Sequence, residues 1–212
     1  MYHEGQRELQ DLAGSRDLAD RLRDTLQRDA FNDGDKAFVE ESPFFFLATA
    51  DASGQPDCSF KGGLPGFARI LSPDLLVFPD YDGNGMFRSL GNVLVNASVG
   101  LLFIDFERAR RLRVNGEATV SDDDPLMGTF EGAQLVVRVR ALRIFPNCPR
   151  YIHDGRDGEV SPYAPRAGHV PPVPAWKRFD AFRDVLAAND PAPIRALAPH
   201  LIPRVMARAT HG

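Results

Sequence analysis

Between Phe78 and Asn92 the chain reads Phe78-Pro79-Asp80-Tyr81-Asp82-Gly83-Asn84-Gly85-Met86-Phe87-Arg88-Ser89-Leu90-Gly91-Asn92, and here its residue types best suit an anion. A glycine-rich turn leads into an apolar period of helical spacing, Met86, Leu90 and Val93, with Phe87 and Leu94 beside it. Free backbone N–H groups and the positive end of a helix dipole attract negative charge. Arg88 and Ser89 precede Asn92 by four and three residues, so in a helix opening near Asn84 all three share one polar face. A guanidinium, a hydroxyl and an amide would then converge on one phosphate.

A plainer reading stands beside this one. In it Gly83 and Gly85 only turn the chain and Arg88 is a solvated charge, since a lone Gly-x-Gly is weak evidence. A Rossmann site lacks its third spaced glycine, and a P-loop lacks its Gly-Lys-Ser/Thr. Cys148, His153 and His169 match no zinc spacing, and Asp122-Asp123-Asp124-Pro125 reads as a solvated turn. Residues 32–41 fail the loop length and ligand spacing of an EF-hand. Cys58 is expected on the inner face of a strand as a small apolar residue. Cys148 has Arg150 nearby, but no His and Asp or Asn partners assemble a thiol nucleophile.

The elements that must position these residues are mostly strands. Residues 44–50 form the first, and the turn chemistry of Asp51-Ala52-Ser53-Gly54-Gln55-Pro56 returns the chain antiparallel through residues 57–62. In that strand Asp57, Ser59 and Lys61 alternate with Cys58 and Phe60. Strands follow at 67–71 and 75–78, then the short helix. Residues 99–104 are a nearly continuous apolar run, expected to be buried on both faces. Residues 111–120 alternate, Leu112, Val114, Ala118 and Val120 inward, and 135–145 complete the set. Short strands with turn punctuation describe a small closed barrel.

Three domain segments follow. Residues 1–42 are a charged helical segment packed on the barrel, with Leu18, Leu22 and Leu26 on one face and a short helix at 35–41 capped by Asp35. Residues 43–146 are the barrel core. Residues 147–212 belong to the same domain, with an irregular proline-rich loop at 155–174 and a helix at 176–188 that carries Phe179, Phe182 and Leu186.

Composition narrows the class. Twenty-five basic against 29 acidic residues leave a net charge of -4, which provides no electrostatic footprint for nucleic acid. No apolar run approaches the roughly 18–20 residues that span a bilayer, and the polar start lacks a signal-peptide core. Only two cysteines, Cys58 and Cys148, are present, which reads as reduced thiols in a cytoplasmic protein.

Several pieces, in order, resemble a known family. They are the strand ending Phe46-Leu47-Ala48-Thr49, the hairpin Gly54-Gln55-Pro56-Asp57, Phe60-Lys61-Gly62-Gly63, Asp80 to Asn84 leading to Ser89-Leu90-Gly91-Asn92, and Leu112-Arg113-Val114-Asn115-Gly116. Over about residues 38–150 the chain is similar to the pyridoxamine 5'-phosphate oxidase-like FMN-binding split barrels, and Asn147-Cys148-Pro149-Arg150-Tyr151-Ile152 resembles a subgroup marker. The resemblance implies a mainly β fold with flanking helices (α+β), a six-stranded antiparallel split β-barrel. It also implies a homodimer with flavin sites shared between protomers.

For the site, the resemblance lays Asp57 to Gly62 along the isoalloxazine ring, with Ser59 or Lys61 at its polar edge. It places Asn84, Arg88, Ser89 and Asn92 on the FMN phosphate, and Arg111 and Arg113 against cofactor or partner unless they are only the exposed face of an edge strand. Trp176 is either packing or a lid over the neighbouring subunit's flavin. The chain departs from the oxidase itself: Phe87-Arg88-Ser89 stands where that enzyme has Ser-Arg-Lys, and residues 197–212 hold no clear Arg-x-His substrate motif. The implied activity is therefore an FMN-dependent oxidoreductase acting on an unidentified small molecule. The alternative is a non-catalytic binder of flavin, deazaflavin or haem, with Lys61, Arg69, Arg111 and Arg113 available for a deazaflavin's longer tail.

Overall fold

A computed structural model describes residues 2–153, 155, 162, 169–170 and 172–186. The chain divides into two compact units, one of residues 1–25 with 173–212 and one of residues 26–172. The first contains α1 (Glu4–Leu12) and most of α2 (Arg16–Leu26). Gly14, at φ 60°, turns the chain between them, where the sequence suggests one continuous helical stretch. Arg21 ties α2 to the C-terminal segment through Asp184 at 3.0 Å. There the expected helix from Trp176 is a 3-10 turn, Ala175–Arg178, followed by the four-residue α5, Asp180–Arg183. Phe182 is buried edge-on to Trp176, 5.7 Å between centroids, whereas Phe179 is exposed. The last two residues of that expected helix, the tail at 197–212 and most of the proline-rich loop lie outside the described residues.

The larger unit opens with α3 (Asp33–Glu41). Asn32, rather than Asp35, is its N-cap: Asn32 Oδ1 accepts from the Asp35 N–H at 2.8 Å, and Asp35 Oδ2 accepts from the Asn32 N–H at 3.1 Å. That reciprocal box places the helix start two residues earlier and takes Asp33 and Gly34 into the helix.

Seven antiparallel strands follow: β1 (Phe44–Ala50), β2 (Pro56–Gly62), β3 (Arg69–Ser72), β4 (Leu75–Tyr81), β5 (Ser98–Asp105), β6 (Arg110–Ser121) and β7 (Ala133–Pro146). They run in the order β2-β1-β5-β6-β7-β4-β3. The sheet has seven strands where six are expected, and β2 and β3 are its unpaired ends, so the barrel is split rather than closed. α3 covers the β3 edge: Ile70 N–H donates to Glu40 Oε1 at 3.2 Å, and Lys36 Nζ donates to the Ile70 carbonyl at 3.1 Å. Edge groups are thereby satisfied without another strand.

β4 runs three residues further than its apolar pattern suggests. Pro79 lies past Val77, the last residue of β4 paired with β3, so its missing N–H is tolerated on that flank while pairing with β7 continues. β5 is buried on one face only, through Val99, Leu101 and Phe103, while Leu102 and Ile104 stay partly exposed. The core gathers around Phe45, whose ring lies 4.9 Å from those of Phe78 and Phe103.

At the β6–β7 pairing the register slips, Asn115 facing Arg143 but Gly116 facing Ala141, so Leu142 is the extra residue of a bulge. A Cβ on Gly116 would stand 2.2 Å from the Arg140 carbonyl oxygen. Gly116→Ala is therefore expected to lower stability by about 1–3 kcal/mol, read as a lower denaturation midpoint with unchanged slope.

Candidate functional site

A cavity of about 800 Å³ lies across the split, within the size range of small-molecule and cofactor sites. β2 forms one wall. The end of β4, the turn at 82–87 and the start of α4 (Arg88–Val95) form the other. Lys61 on β2 reaches Asp80 on β4 at 3.0 Å, both side chains mostly buried. This ion pair links β2, one end of the sheet order, to β4, the strand next to the other end, and so bridges the opening the topology leaves.

The turn has its own local logic. Asn84 Oδ1 accepts from the Met86 N–H at 3.0 Å, an Asx turn. Gly85 (φ 71°) and Phe87 (φ 46°) are left-handed. For Phe87 that conformation costs about 1–2 kcal/mol, and it turns the chain into α4 directly at Arg88. The helix thus begins four residues later than its apolar spacing suggests. Leu90 and Val93 are buried, whereas Met86, Phe87 and Leu94 are exposed.

That later start redistributes the polar face. Arg88 Nε donates to Asp57 Oδ1 at 3.2 Å, Ser89 Oγ donates to Asp57 Oδ2 at 2.8 Å, and Ser89 Oγ lies 2.9 Å from Ser59 Oγ. Asn92 turns away and donates to Thr49 Oγ1 on β1 at 3.1 Å. So Arg88 and Ser89 converge on a carboxylate as anion ligands would, but Asn92 fastens the helix to the sheet and does not line the cavity.

Of the residues singled out from sequence, Asp57, Ser59, Lys61, Asn84, Arg88 and Ser89 line this one cavity. Gly62 does not; a Cβ there would meet the Phe60 ring at 2.6 Å, so it makes room for that ring. Arg111 donates through Nε to the Cys148 carbonyl at 3.0 Å, binding the Asn147–Arg150 segment to β6. Arg113 is exposed, 5.9 Å from the centroid of the Phe145 ring. Neither arginine lines the cavity. Trp176 lies in the other unit.

Cys58 is a correction. It is exposed together with Phe60, while Asp57, Ser59 and Lys61 form the more buried face; all five residues border the cavity. The rule that apolar faces point inward fails in β2 because its inner face lines a polar cavity. Asp80 and Gln134 also line the cavity, and neither is among the site residues the sequence singles out. An acid directly after the apolar stretch Leu75 to Pro79 signals Asp80; Gln134 carries no local signal. Among the described residues no cluster of three potential metal ligands occurs, and no helix is long and apolar enough to cross a membrane.

An open antiparallel barrel with its cavity beside a short helix defines the class as a split barrel. The sequence model for pyridoxamine 5'-phosphate oxidase matches residues 31–147, more than half of the chain, and the chain belongs to that family. No curated protein sequence matches it. Solved structures similar to it include HupZ of Group A Streptococcus, 19% identical over 62% of this chain and 98% of that one, with a TM-score of 0.45. An FMN-binding protein from Syntrophomonas wolfei is 10% identical over 68% and 96%, TM-score 0.39. HutZ, the heme storage protein from Vibrio cholerae, is 19% identical over 51% and 88%, TM-score 0.37.

Proposed function

We propose that the chain is an FMN-dependent oxidoreductase of the cytoplasm, working as a homodimer on a small organic substrate. The observation that carries this reading is the convergence of Arg88 and Ser89 on one carboxylate at the mouth of the cavity. A guanidinium and a hydroxyl already aimed at an anion match the donors a flavin phosphate requires. The Arg88 side chain is two-thirds exposed, so its guanidinium is open to a ligand that enters the cavity.

Further in, Ser59, Lys61 and Asp80 present a hydroxyl, an ammonium and a carboxylate for the polar edge of a ring. FMN, when bound, supplies the hydride and electron chemistry itself. The protein's part is to hold the phosphate at Arg88 and Ser89, to orient the ring along β2, and to exclude water.

The outer face of β2, β1 and β5 supports the dimer. Phe60 stacks on Phe44 at 5.3 Å, Phe44 stacks on Phe106 at 6.2 Å, and Phe60 and Phe106 are exposed on a single chain. Contiguous aromatic surface of this kind marks an interface, and a second copy would cover it and bring Arg111 and Arg113 to a shared site.

Turnover tests the catalytic half of the reading. Flavin-loaded protein is expected to consume NADH or NADPH with an electron acceptor present, while pyridoxamine 5'-phosphate is oxidised well below about 1 per second. Bound flavin that no nicotinamide donor reduces would favour the non-catalytic alternative.

A further inference from the structure

Asp57 is an unusual neighbour for a phosphate seat. Its carboxylate takes both anion-binding donors at the start of α4, Arg88 Nε at 3.2 Å and Ser89 Oγ at 2.8 Å, and its side chain is only 16% exposed against 67% for Arg88. A carboxylate and a phosphate offer the same kind of acceptor oxygens to a guanidinium. Both cannot use these donors at once, because two like charges in contact within a partly desolvated site repel strongly. One must yield.

We propose that Asp57 is a resident anion that competes for the Arg88–Ser89 seat, so that a phosphate-bearing ligand binds only by displacing it. The ligand in this inference rests on the FMN reading; the competition itself is a property of the three side chains. β2 is an edge strand paired only with β1, and the Asp57 side chain can leave by rotating about its own χ angles while the strand stays in place. The arrangement makes the site selective. A ligand without phosphate keeps the Asp57 contacts intact, and one with phosphate must exceed them. Asp57 thus sets how much phosphate binding is worth at this site without itself serving as a ligand.

The test uses the full chain as wild type, Asp57→Asn and Asp57→Ala, each checked for an unchanged circular dichroism spectrum. FMN and riboflavin are titrated by fluorescence, and inorganic phosphate is titrated while following the Arg88 Nε–H resonance by NMR. FMN affinity is expected to rise about tenfold in both variants, with riboflavin altered by less than about twofold, and the gain should vanish in an Arg88→Ala background. Phosphate alone should shift the Arg88 signal at lower concentration in the variants. FMN affinity that falls or stays level in both variants would overturn the proposal and make Asp57 a support for the helix. If neither flavin binds any of the proteins, the FMN reading fails separately, and the phosphate titration decides: a lower midpoint in the variants upholds competition and an equal one overturns it.

Discussion

Replacing Arg88 with alanine is expected to weaken FMN binding roughly 10- to 150-fold, because a charge-assisted hydrogen bond to phosphate is worth about 1.5–3 kcal/mol and each 1.4 kcal/mol is a factor of ten. Riboflavin, which lacks the phosphate, should bind Arg88→Ala about as well as wild type. The Asp57 contact refines the figure. In the wild-type chain Arg88 gives up its bond to Asp57 when it takes a phosphate, so the loss belongs at the lower end of the range. In an Asp57→Asn background the same substitution should approach the upper end. Paired flavin titrations of the two backgrounds check both statements. Equal losses for FMN and riboflavin would mean that α4 has been disturbed, and Arg88 would have to be removed from the phosphate site.

The second large effect concerns assembly. Phe106 is 41% exposed and stacked on Phe44 beside the partly exposed Leu102 and Ile104 of β5. It does not line the cavity, so its replacement separates assembly from ligand contact. In a two-fold dimer each substitution occurs twice. Burying one phenylalanine is worth about 1.5–3 kcal/mol, so Phe106→Glu should weaken dimerisation by about 3–6 kcal/mol, roughly 150- to 20,000-fold. Light scattering across a concentration series is expected to return the dimer mass for wild type and the monomer mass for the variant. A wild-type chain that stays monomeric at all concentrations would remove the dimer from the proposed function.

Much of the barrel was legible from the sequence because its signals are local. The alternation of Leu112, Val114 and Ala118 specifies which face of β6 is buried, and the turn residues from Asp51 to Gln55 close the β1–β2 hairpin. Six cavity residues were also legible, since Asp57, Ser59 and Lys61 share a strand face and Asn84, Arg88 and Ser89 share one short segment.

What escaped depends on contacts across the chain or on single backbone angles. The start of α4 follows from the left-handed Phe87, which apolar periodicity does not encode. Asn92 was misplaced because its partner, Thr49, lies 43 residues away. The Lys61–Asp80 pair exists only because the barrel is split. The exposure of Cys58 and Phe60 inverts the usual rule, since the more buried face of β2 is the polar one that carries Asp57, Ser59 and Lys61. The open sheet agrees with the split barrel that the family resemblance implies, whereas strand spacing alone suggests a closed barrel and one strand fewer than the seven observed.

Titration of the purified, flavin-free chain with FMN tests the central claim most directly. Quenching of flavin fluorescence that saturates at one FMN per chain in the micromolar range, with a yellow protein after removal of excess ligand, is the result the account predicts. Protein that stays colourless and leaves the fluorescence of micromolar FMN unchanged would contradict it.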